Sequence, residues 1–480
     1  MAQAAACSPR PSYERHEPNK SLLFQTIQNN LKSFLSHCDA EGHPVPHFIK
    51  KEFEAYLRCG VLAYGFARVY CQECQYDRLV PFSCKKCGFC SSCMARRMSE
   101  TAVRLVDSVI PEIPTRQWVL SVPPPLRYLI AYDNQALNEL IKIFIATIFS
   151  YLRRKANKPG CQLYPGAVTF IQRFGSALNL NLHLHSQISD GVYEKRPGGL
   201  LKFHRVAAPS LAETKQITQK IANRVHCYLQ KRMHDLELDG LDAKEPFLAK
   251  CYAASIRYLS ALGANAGKQL LRIISDSPSK DDDRFERTVA GFNLHTSVAI
   301  EGHDRKALER ILRYMGRPPL SQDRLKQAPD GQRLILTLKT PWRDGTSKII
   351  LSSFELLERL VAIIPPPRKN QIRYHGCFGH NAKIRKLISP QEKDRHIAVG
   401  HSSKRIARPA FAQLMARIFE IDVLVCPRCQ SKLQIISFIT EPEPIRDILR
   451  ALKMSTAPPD IPKSVYSIEY EQQADLFIDV

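Results

Sequence analysis

Six closely spaced cysteines constrain the fold of this 480-residue chain more than any other sequence feature. They form three Cys-x-x-Cys pairs within 23 positions: Cys71 with Cys74, Cys84 with Cys87, and Cys90 with Cys93. Because such a pair can coordinate one ion through two thiolates, the two outer pairs together supply the four soft ligands of a tetrahedral structural zinc. The middle pair either replaces one of the outer pairs or binds a second ion. The sequence therefore predicts a zinc module in this segment.

The other cysteines also favour metal chemistry over disulfides. The chain has 15 cysteines but no apolar N-terminal segment typical of a secretion signal, so we expect a cytoplasmic protein with reduced thiols. Its longest apolar stretch, around residues 141–150, is too short to span a bilayer. Cys426-Pro-Arg-Cys429 repeats the pair spacing. A second zinc site there would need partners from elsewhere, such as Cys377 or His380.

The charge of the chain predicts a polyanionic partner. Lys and Arg number 69 against 46 Asp and Glu, a formal net charge of +23 that exceeds what solubility requires. Nucleic acid is the first candidate and an anionic membrane surface the second. Basic residues flank the cysteine pairs, where they either contact a phosphate backbone or simply face solvent: Arg78, Lys85, Lys86, Arg96 and Arg97.

Periodicity divides the chain into a loose tail over 1–20, a helical and cysteine-rich zinc-binding part over 21–105, a central domain over 106–328 and an accessory α+β region over 329–480. In the central domain the segments QWVLSV, AVTFIQRFG, NLNLHLHSQI, DGVY and LKFHRV have the pattern of short strands, which predicts an antiparallel meander. Helical segments accompany these strands, so the predicted fold class is α+β. Beyond them, RLILTLK, the turn WRDG and KIILSS predict a hairpin.

One of these strands presents two histidines on a polar face. From Leu178 onward, leucine alternates with asparagine and then with His183 and His185. On a strand, this pattern places the two histidine Cα atoms roughly 6–7 Å apart on the face opposite the leucines. Both imidazoles can then reach one divalent cation, so we interpret them as metal ligands. His295, on the polar face of FNLHTSV, is either a third ligand or a surface residue.

The wider sequence resembles a known enzyme family. A His-hydrophobic-His pair on a central strand is the signature of HUH endonucleases. The segments FSCKKCGFCSSC, RQWVLSVPPPLRYL, FIQRFGSALNLNLHLH, DGVY, GRPPLSQDRL, LKTPWRDGT and RYHG occur in the same order in rolling-circle transposases of the insertion-sequence common-region type, relatives of the insertion-sequence ninety-one class. The resemblance runs from about Phe48 to about Pro462. It implies an HUH domain whose central antiparallel sheet is flanked by helices, with Mg²⁺ or Mn²⁺ bound by His183 and His185.

The resemblance also implies a tyrosine nucleophile on a helix beside the metal. The segment RKALERILRYMGR has an apolar stripe formed by Leu308, Ile311, Leu312 and Met315. Tyr314 lies one turn from Arg310 and Arg317, which we expect to hold DNA phosphates. The chain resembles the single-tyrosine branch of the family, with Arg310 where two-tyrosine relatives carry their first tyrosine. Tyr252 and Tyr258 are rival nucleophiles on another predicted helix.

By resemblance, the chain is a transposase that nicks single-stranded DNA and transfers the strand through a 5′-phosphotyrosine intermediate in rolling-circle transposition. Its partners would be single-stranded DNA at the element ends and target, together with a host helicase and replication machinery, since Gly263–Gln269 lacks the spacing of a phosphate-binding loop. Two alternatives are a plasmid-type rolling-circle replication initiator and a non-catalytic zinc protein that binds DNA. No membrane partner is expected, and the sequence leaves the oligomeric state open.

Overall fold

The computed structural model describes residues 17–86, 88–233, 244–274, 288–390 and 425–462 of the chain. The helices are α1 (Leu22–Ala40), α2 (His47–Arg58), α3 (Ser91–Ser108), α4 (Pro124–Tyr132), α5 (Asn134–Ala156), α6 (Leu211–Met233), α7 (Pro246–Arg257), α8 (Arg305–Met315), α9 (Ser353–Ile363), α10 (Arg385–Ile388) and α11 (Pro442–Ala451). The strands are β1 (Phe66–Tyr70), β2 (Asp77–Pro81), β3 (Thr115–Ser121), β4 (Leu163–Tyr164), β5 (Gly166–Phe174), β6 (Leu180–Ser189), β7 (Gly191–Lys195), β8 (Leu201–Arg205), β9 (Leu271–Ile274), β10 (Thr288–Val289), β11 (Phe292–His295), β12 (Ala299–Ile300), β13 (Leu325–Gln327), β14 (Leu334–Thr337), β15 (Thr346–Leu351), β16 (Ile372–Gly376) and β17 (Gln434–Ile439). These strands pair antiparallel and are mixed with helices, so the predicted α+β class is confirmed.

The described residues form two compact units. The first comprises Met1–Asn29, Lys51–Lys86 and Ala398–Lys463, and the second comprises Asn30–Lys50, Cys87–Ile397 and Ser464–Val480, each as far as its residues are described. This division differs from the predicted boundary after residue 328, because strands from both sides of it pair: β9 joins β15, and β5 joins β16. The predicted tail over 1–20 lies outside the described residues up to residue 16, and Pro18–Lys20 forms a 3₁₀ turn.

The first unit is built on a three-stranded sheet in the order β17-β1-β2. Strand β17 pairs with the whole of β1, so an N-terminal and a C-terminal segment share one sheet. Helix α11 buries Ile445 and Leu449 against Phe66 and Leu79, which fixes the C-terminal segment on this sheet through apolar contact.

The second unit is organised around a larger sheet in the order β10-β11-β3-β6-β5-β16, with β12 also paired to β3. Strand β6 is therefore an inner strand with a hydrogen-bonded neighbour on each side. Residues of α5 and α6 cover one face, where Trp118, Leu182 and Leu184 join a large apolar core. Residues of α3 and α8 pack with Val168 and Phe170 of β5 in a second core. No helix in the described ranges is both long and apolar enough to cross a membrane.

The predicted meander is split between two sheets. Strands β5 and β6 pair as expected and β7 pairs with β8, but the other neighbour of β6 is β3 rather than β7. The chain leaves the larger sheet at Asp190, whose carboxylate accepts two hydrogen bonds from Arg116. It then enters β7 at Gly191, where any side chain would collide with the carbonyl oxygen of His204. The predicted hairpin is confirmed, because β14 and β15 pair on either side of WRDG.

Helix α9 is tied to the second unit by a buried carboxyl group. Ser352 and Glu355 form a capping box at its N-terminus. One turn later Glu358, which is 5% exposed, accepts hydrogen bonds from the backbone N–H groups of Ala261 at 2.7 Å and Leu262 at 3.1 Å. Burial raises the pKa of the Glu358 carboxyl group to about 7. The stability of this unit should therefore depend on pH.

The direction of that dependence follows from proton release. Because the folded-state pKa of Glu358 lies above the ordinary value of 4.5, the unfolded chain releases this proton first. The contribution of Glu358 to stability is then complete below about pH 4.5 and is lost as pH rises through about 7, a change on the order of 3 kcal/mol. Urea denaturation between about pH 5 and pH 8 should show this decline in the wild type and a flatter profile for Glu358→Gln. Identical pH profiles for the two proteins would contradict it.

Candidate active site and metal centres

Strand β6 carries the two predicted metal ligands side by side. Leu182 and Leu184 are buried in the core, while the rings of His183 and His185 lie with their centroids 4.9 Å apart. Because β3 and β5 are bonded to β6 on either side, the register that places His183 beside Gln172 is fixed. The alternation of faces predicted from the sequence is therefore present in this strand.

The hydrogen bonds of the two rings leave one nitrogen of each available. His183 Nδ1 donates to the carbonyl oxygen of Asn181 at 2.7 Å, so its Nε2 keeps a lone pair. His185 Nδ1 lies 3.2 Å from the side-chain amide of Gln117, and its Nε2 is buried without a hydrogen-bond partner. The atom of Gln117 that faces Nδ1 is the amide nitrogen; with the amide turned by 180°, its oxygen accepts a hydrogen bond from Nδ1–H and the Nε2 lone pair of His185 is free as well.

Burial keeps both imidazoles in the form that binds metals. It lowers the pKa of His183 to about 4, with help from the charges of Arg317 and Arg127. It also lowers the pKa of His185 well below the ordinary value. Both rings are therefore neutral at neutral pH, and the buried Nε2 of His185 is costly to desolvate unless a ligand contacts it. These properties fit a divalent cation held between the two rings.

A third protein ligand does not complete this pair in the described part of the chain, where no His, Cys, Asp or Glu joins the two histidines in a group of three ligating atoms. His295 lies on β11, and its Nε2 is 2.8 Å from the hydroxyl of Ser297. Val119 of β3 pairs with both His295 and His185, so the two histidines share a face of the sheet with Cα atoms roughly 10 Å apart. The role of His295 as a third ligand stays a prediction.

Helix α8 brings Tyr314 to the histidines. The Asp304 side chain accepts a hydrogen bond from the Ala307 N–H and caps the start of the helix. The predicted apolar stripe packs into the core and consists of Leu308, Ile311, Leu312 and Met315. Tyr314 lies at the margin of this stripe, 40% exposed, with its ring centroid 6.1 Å from that of His185. The tyrosine singled out from the sequence is thus beside the histidine pair and accessible to solvent.

Two basic side chains flank the Tyr314 ring. The guanidinium carbon of Arg317 lies 4.2 Å and the ammonium nitrogen of Lys339 4.3 Å from its centroid. Burial by itself would raise the pKa of the phenol, but the hydrogen bond and charge of Arg317 and the charge of Lys339 outweigh it, so the pKa is lowered. Arg310 is exposed, and its contact with DNA stays a prediction.

Three residues of this site were not predicted from the sequence: Gln117, Gln172 and Lys339. Gln172 Nε2 donates to the carbonyl oxygen of Met315 at 2.6 Å, which ties the end of α8 to β5. The two glutamines could have been noticed in the sequence, because each is a polar residue inside a mostly buried strand, TRQWVLS or GAVTFIQRF, and a buried polar side chain needs a partner. Lys339 could not have been noticed in this way, because it contacts Tyr314 only when the segment after β14 packs near α8.

The rival tyrosines lie in different surroundings. Tyr252 is fully buried on α7, where Arg173 donates to its hydroxyl at 3.2 Å and burial raises its pKa. Tyr258, just past the end of α7, packs on Trp342 with ring centroids 4.7 Å apart. Among the described ring contacts, Tyr314 is the tyrosine that meets a histidine of the pair.

The cysteines of the predicted zinc module are regrouped in the structure. One group of four thiols, all within 4.8 Å of one another, consists of Cys71, Cys74, Cys426 and Cys429. The sequence grouped Cys71 and Cys74 with Cys90 and Cys93 around one ion, whereas in the structure their sulfurs lie beside those of Cys426 and Cys429. Neither Cys377 nor His380, the partners expected for the C-terminal pair, belongs to this group of four.

The other cysteines named from the sequence lie outside this group. Cys84 is half-buried, and its backbone N–H donates to the sulfur of Cys59 at 3.3 Å. Cys90 immediately precedes α3 and Cys93 lies in its first turn, both buried. Cys87 lies outside the described residues. A second ion at these positions therefore stays a prediction.

Two family models match the chain, one near its N-terminus and one over its central part. Residues 26–122 match the family model Zn_Tnp_IS91, described as "Transposase zinc-binding domain". Residues 166–385, which include the histidine pair and Tyr314, match Y2_Tnp, described as "Putative transposase". The chain is 21% identical over 381 residues to the transposase for insertion sequence element IS801 of Pseudomonas savastanoi pv. phaseolicola, over 78% of this chain and 80% of that protein. No solved structure matches the chain.

The two family matches define the class of protein, a transposase with a zinc-binding domain near its N-terminus. Within that class, the zinc-binding match and the similarity to the IS801 transposase support an IS91-like transposase. The resemblance found in the sequence is therefore confirmed, and a transposase has DNA as its partner. The zinc-binding domain and the cysteine group support a structural zinc ion.

Proposed function

We propose that this transposase cuts single-stranded DNA with Tyr314 and transfers the cut strand to another end, with a divalent cation, Mg²⁺ or Mn²⁺, held by His183 and His185. The observation that carries this proposal is the position of the accessible Tyr314 ring, 6.1 Å from His185 and flanked by the cations of Arg317 and Lys339. A nucleophile, metal-binding nitrogens and phosphate-binding cations thus converge on one small region.

The chemistry begins at the Tyr314 hydroxyl. The hydroxyl releases its proton to solvent, Arg317 stabilises the resulting phenolate, and the phenolate oxygen attacks the scissile phosphorus in line. The bond from phosphorus to the 3′ oxygen breaks, the departing oxygen takes up a proton, and a 5′-phosphotyrosine remains on the protein. Arg317 and Lys339 offset the charge that builds on the phosphoryl oxygens. A divalent cation, when bound, supplies Lewis-acid polarisation of the scissile phosphate.

Strand transfer is the same reaction in reverse. A 3′-hydroxyl from another strand attacks the phosphotyrosine, the new phosphodiester forms, and the Tyr314 hydroxyl is released. Because the phosphotyrosine conserves the energy of the original bond, joining needs no nucleotide hydrolysis. Exposed basic residues such as Arg310 would hold the DNA backbone, and a host helicase would supply the single strand at the element ends and target.

A covalent adduct tests this proposal. The full chain is incubated with Mn²⁺ and end-labelled single-stranded DNA carrying the element ends, and the products are separated on a denaturing gel. We expect a protein–DNA adduct on the 5′-phosphate, mapped by mass spectrometry to Tyr314, and a free 3′-hydroxyl fragment. DNA that is bound but never cleaved would favour a non-catalytic zinc protein. Cleavage at a plasmid origin with intact element ends would favour a replication initiator.

Gln117 should act through His185 by fixing its ring. Replacing Gln117 with leucine removes the side-chain partner of Nδ1, so we expect the dissociation constant for Mn²⁺ to rise about 10- to 100-fold. Electron paramagnetic resonance of unbound Mn²⁺ measures this on zinc-loaded protein without reference to cleavage. Gln187→Leu is the matched control, because Gln187 is also a buried strand glutamine but donates to Thr115 at 2.7 Å. Equal Mn²⁺ affinities in the two variants would count against the role of Gln117.

A further inference from the structure

Two cysteine pairs from distant parts of the sequence meet in the first unit. One pair, Cys71 and Cys74, follows β1, and the other, Cys426 and Cys429, precedes β17. Because β17 pairs with β1, both pairs lie at the same end of the sheet. The matched zinc-binding domain ends at residue 122 and does not contain the second pair. We propose that the four cysteines hold one zinc ion, so that the C-terminal segment completes the zinc-binding domain.

The distances between the sulfurs fit one ion. Cys71 Sγ lies 3.4 Å from Cys429 Sγ, and Cys74 Sγ lies 3.4 Å from Cys426 Sγ. Disulfide-bonded sulfurs would be about 2.05 Å apart. Four sulfurs bound at about 2.3 Å around a tetrahedral zinc would be roughly 3.8 Å from one another. The group is therefore spaced as thiolates around a metal and not as two disulfides.

The two pairs also share one local fold. Each occurs in a Cys-x-x-Cys-Gln sequence, CQECQ at 71–75 and CPRCQ at 426–430. Gln75 and Gln430 both have left-handed backbones, with φ of 58° and 61°, which costs a non-glycine residue about 1–2 kcal/mol. In both, the first cysteine N–H donates to the carbonyl five residues later, Cys71 to Tyr76 at 2.9 Å and Cys426 to Ser431 at 2.8 Å. The same strained turn at both pairs is explained if both serve the same ion.

The surroundings suit four thiolates on Zn²⁺, which together carry a net charge of −2. Arg428 and Arg78 lie over the ring of Tyr76, with guanidinium carbons 5.0 and 5.8 Å from its centroid. The Ser431 hydroxyl lies 2.9 Å from the sulfur of Cys71 and 2.8 Å from that of Cys429. The hydroxyl can donate to one of these two sulfurs, as hydrogen-bonding partners of metal ligands usually do, and Arg428 adds positive charge within the second cysteine pair.

The first unit has a structural need for such an ion. One of its described apolar clusters consists of Val69, Leu433 and the buried thiols Cys71 and Cys426 themselves. A core this small stabilises a fold weakly, and a structural metal contributes the missing free energy in small modules. Loss of the C-terminal pair should therefore release zinc and weaken the whole unit, including the pairing of β17 with β1.

Thiol labelling of the native full chain tests the site directly. Cys429 is exposed, so a free thiol there would react quickly with an alkylating reagent. We expect all four cysteines to be protected in the zinc-loaded protein and to become labelled together after a strong chelator is added. Cys161 and Cys227, which are exposed, are internal controls that react in both states. Labelling of Cys429 as fast as Cys227 in the zinc-loaded protein would overturn the proposal.

Zinc content of purified variants provides a second measurement. We expect Cys71→Ser/Cys74→Ser and Cys426→Ser/Cys429→Ser each to lose one zinc per chain relative to Cys161→Ser/Cys227→Ser. The quadruple variant should lose no more than either pair alone, since both pairs hold the same ion. Unchanged zinc in the C-terminal variant, or loss of two ions in the quadruple variant, would refute one shared site. Both measurements are independent of DNA cleavage, so they stand apart from the proposed role of Tyr314.

Discussion

Tyr314→Phe is expected to lower the rate of DNA cleavage by roughly 10⁴-fold or more, because the variant has no hydroxyl to form the phosphotyrosine bond. The ring, its packing on His185 and the flanking cations of Arg317 and Lys339 should remain. Affinity for single-stranded DNA should therefore change by no more than about 1 kcal/mol. The covalent adduct on a denaturing gel and an equilibrium binding measurement on the same DNA check both expectations.

Tyr258→Phe is the matched control for this substitution. Its hydroxyl accepts a long hydrogen bond from Asn179 at 3.4 Å, and its ring packs on Trp342, which phenylalanine preserves. We expect wild-type cleavage from this variant. Full activity of Tyr314→Phe together with loss of the adduct in Tyr258→Phe would transfer the role of nucleophile to Tyr258.

Asp190→Ala is expected to lower the free energy of unfolding of the second unit by about 3–5 kcal/mol. Arg116 on β3 donates to both carboxylate oxygens of Asp190, at 3.0 and 2.7 Å, and both side chains are buried. Removing the carboxylate leaves a buried guanidinium whose remaining bond goes to the carbonyl oxygen of Thr296. Because the pair lies where the chain passes from β6 to β7, the loss should weaken the sheet that carries the histidines. Urea denaturation at neutral pH measures the change.

Two further variants separate the buried charge from general effects of substitution. Asp330→Asn removes a charge whose partner Arg333 is exposed and keeps Oδ1, which accepts hydrogen bonds from the backbone N–H groups of Gln332 and Arg333, so we expect little change in stability. Arg116→Met/Asp190→Leu removes both buried charges together and should recover much of the stability lost in Asp190→Ala. A double variant as unstable as the single variant would show that the ion pair itself, and not the unpaired charge, sets the effect.

The local features of the active site could be predicted from the sequence. The two-residue period of a strand placed His183 and His185 on one face, and the 3.6-residue period of a helix placed Tyr314 at the edge of an apolar stripe. The hairpin of β14 and β15 could be predicted as well, because a turn sequence between two apolar segments depends only on neighbouring residues. These patterns are determined by backbone geometry within a single element.

The tertiary structure alone decided which of these elements meet. The same Cys-x-x-Cys spacing occurs at 71–74, 84–87, 90–93 and 426–429, and the spacing does not indicate which pairs meet. Pairing of β17 with β1 settles that choice for the first pair, although more than 350 residues separate the two strands. Lys339 reaches Tyr314, and Gln172 anchors α8, only because separate segments pack on one sheet. Local periodicity encodes the face a residue occupies, whereas contacts between distant segments depend on burial of the whole core.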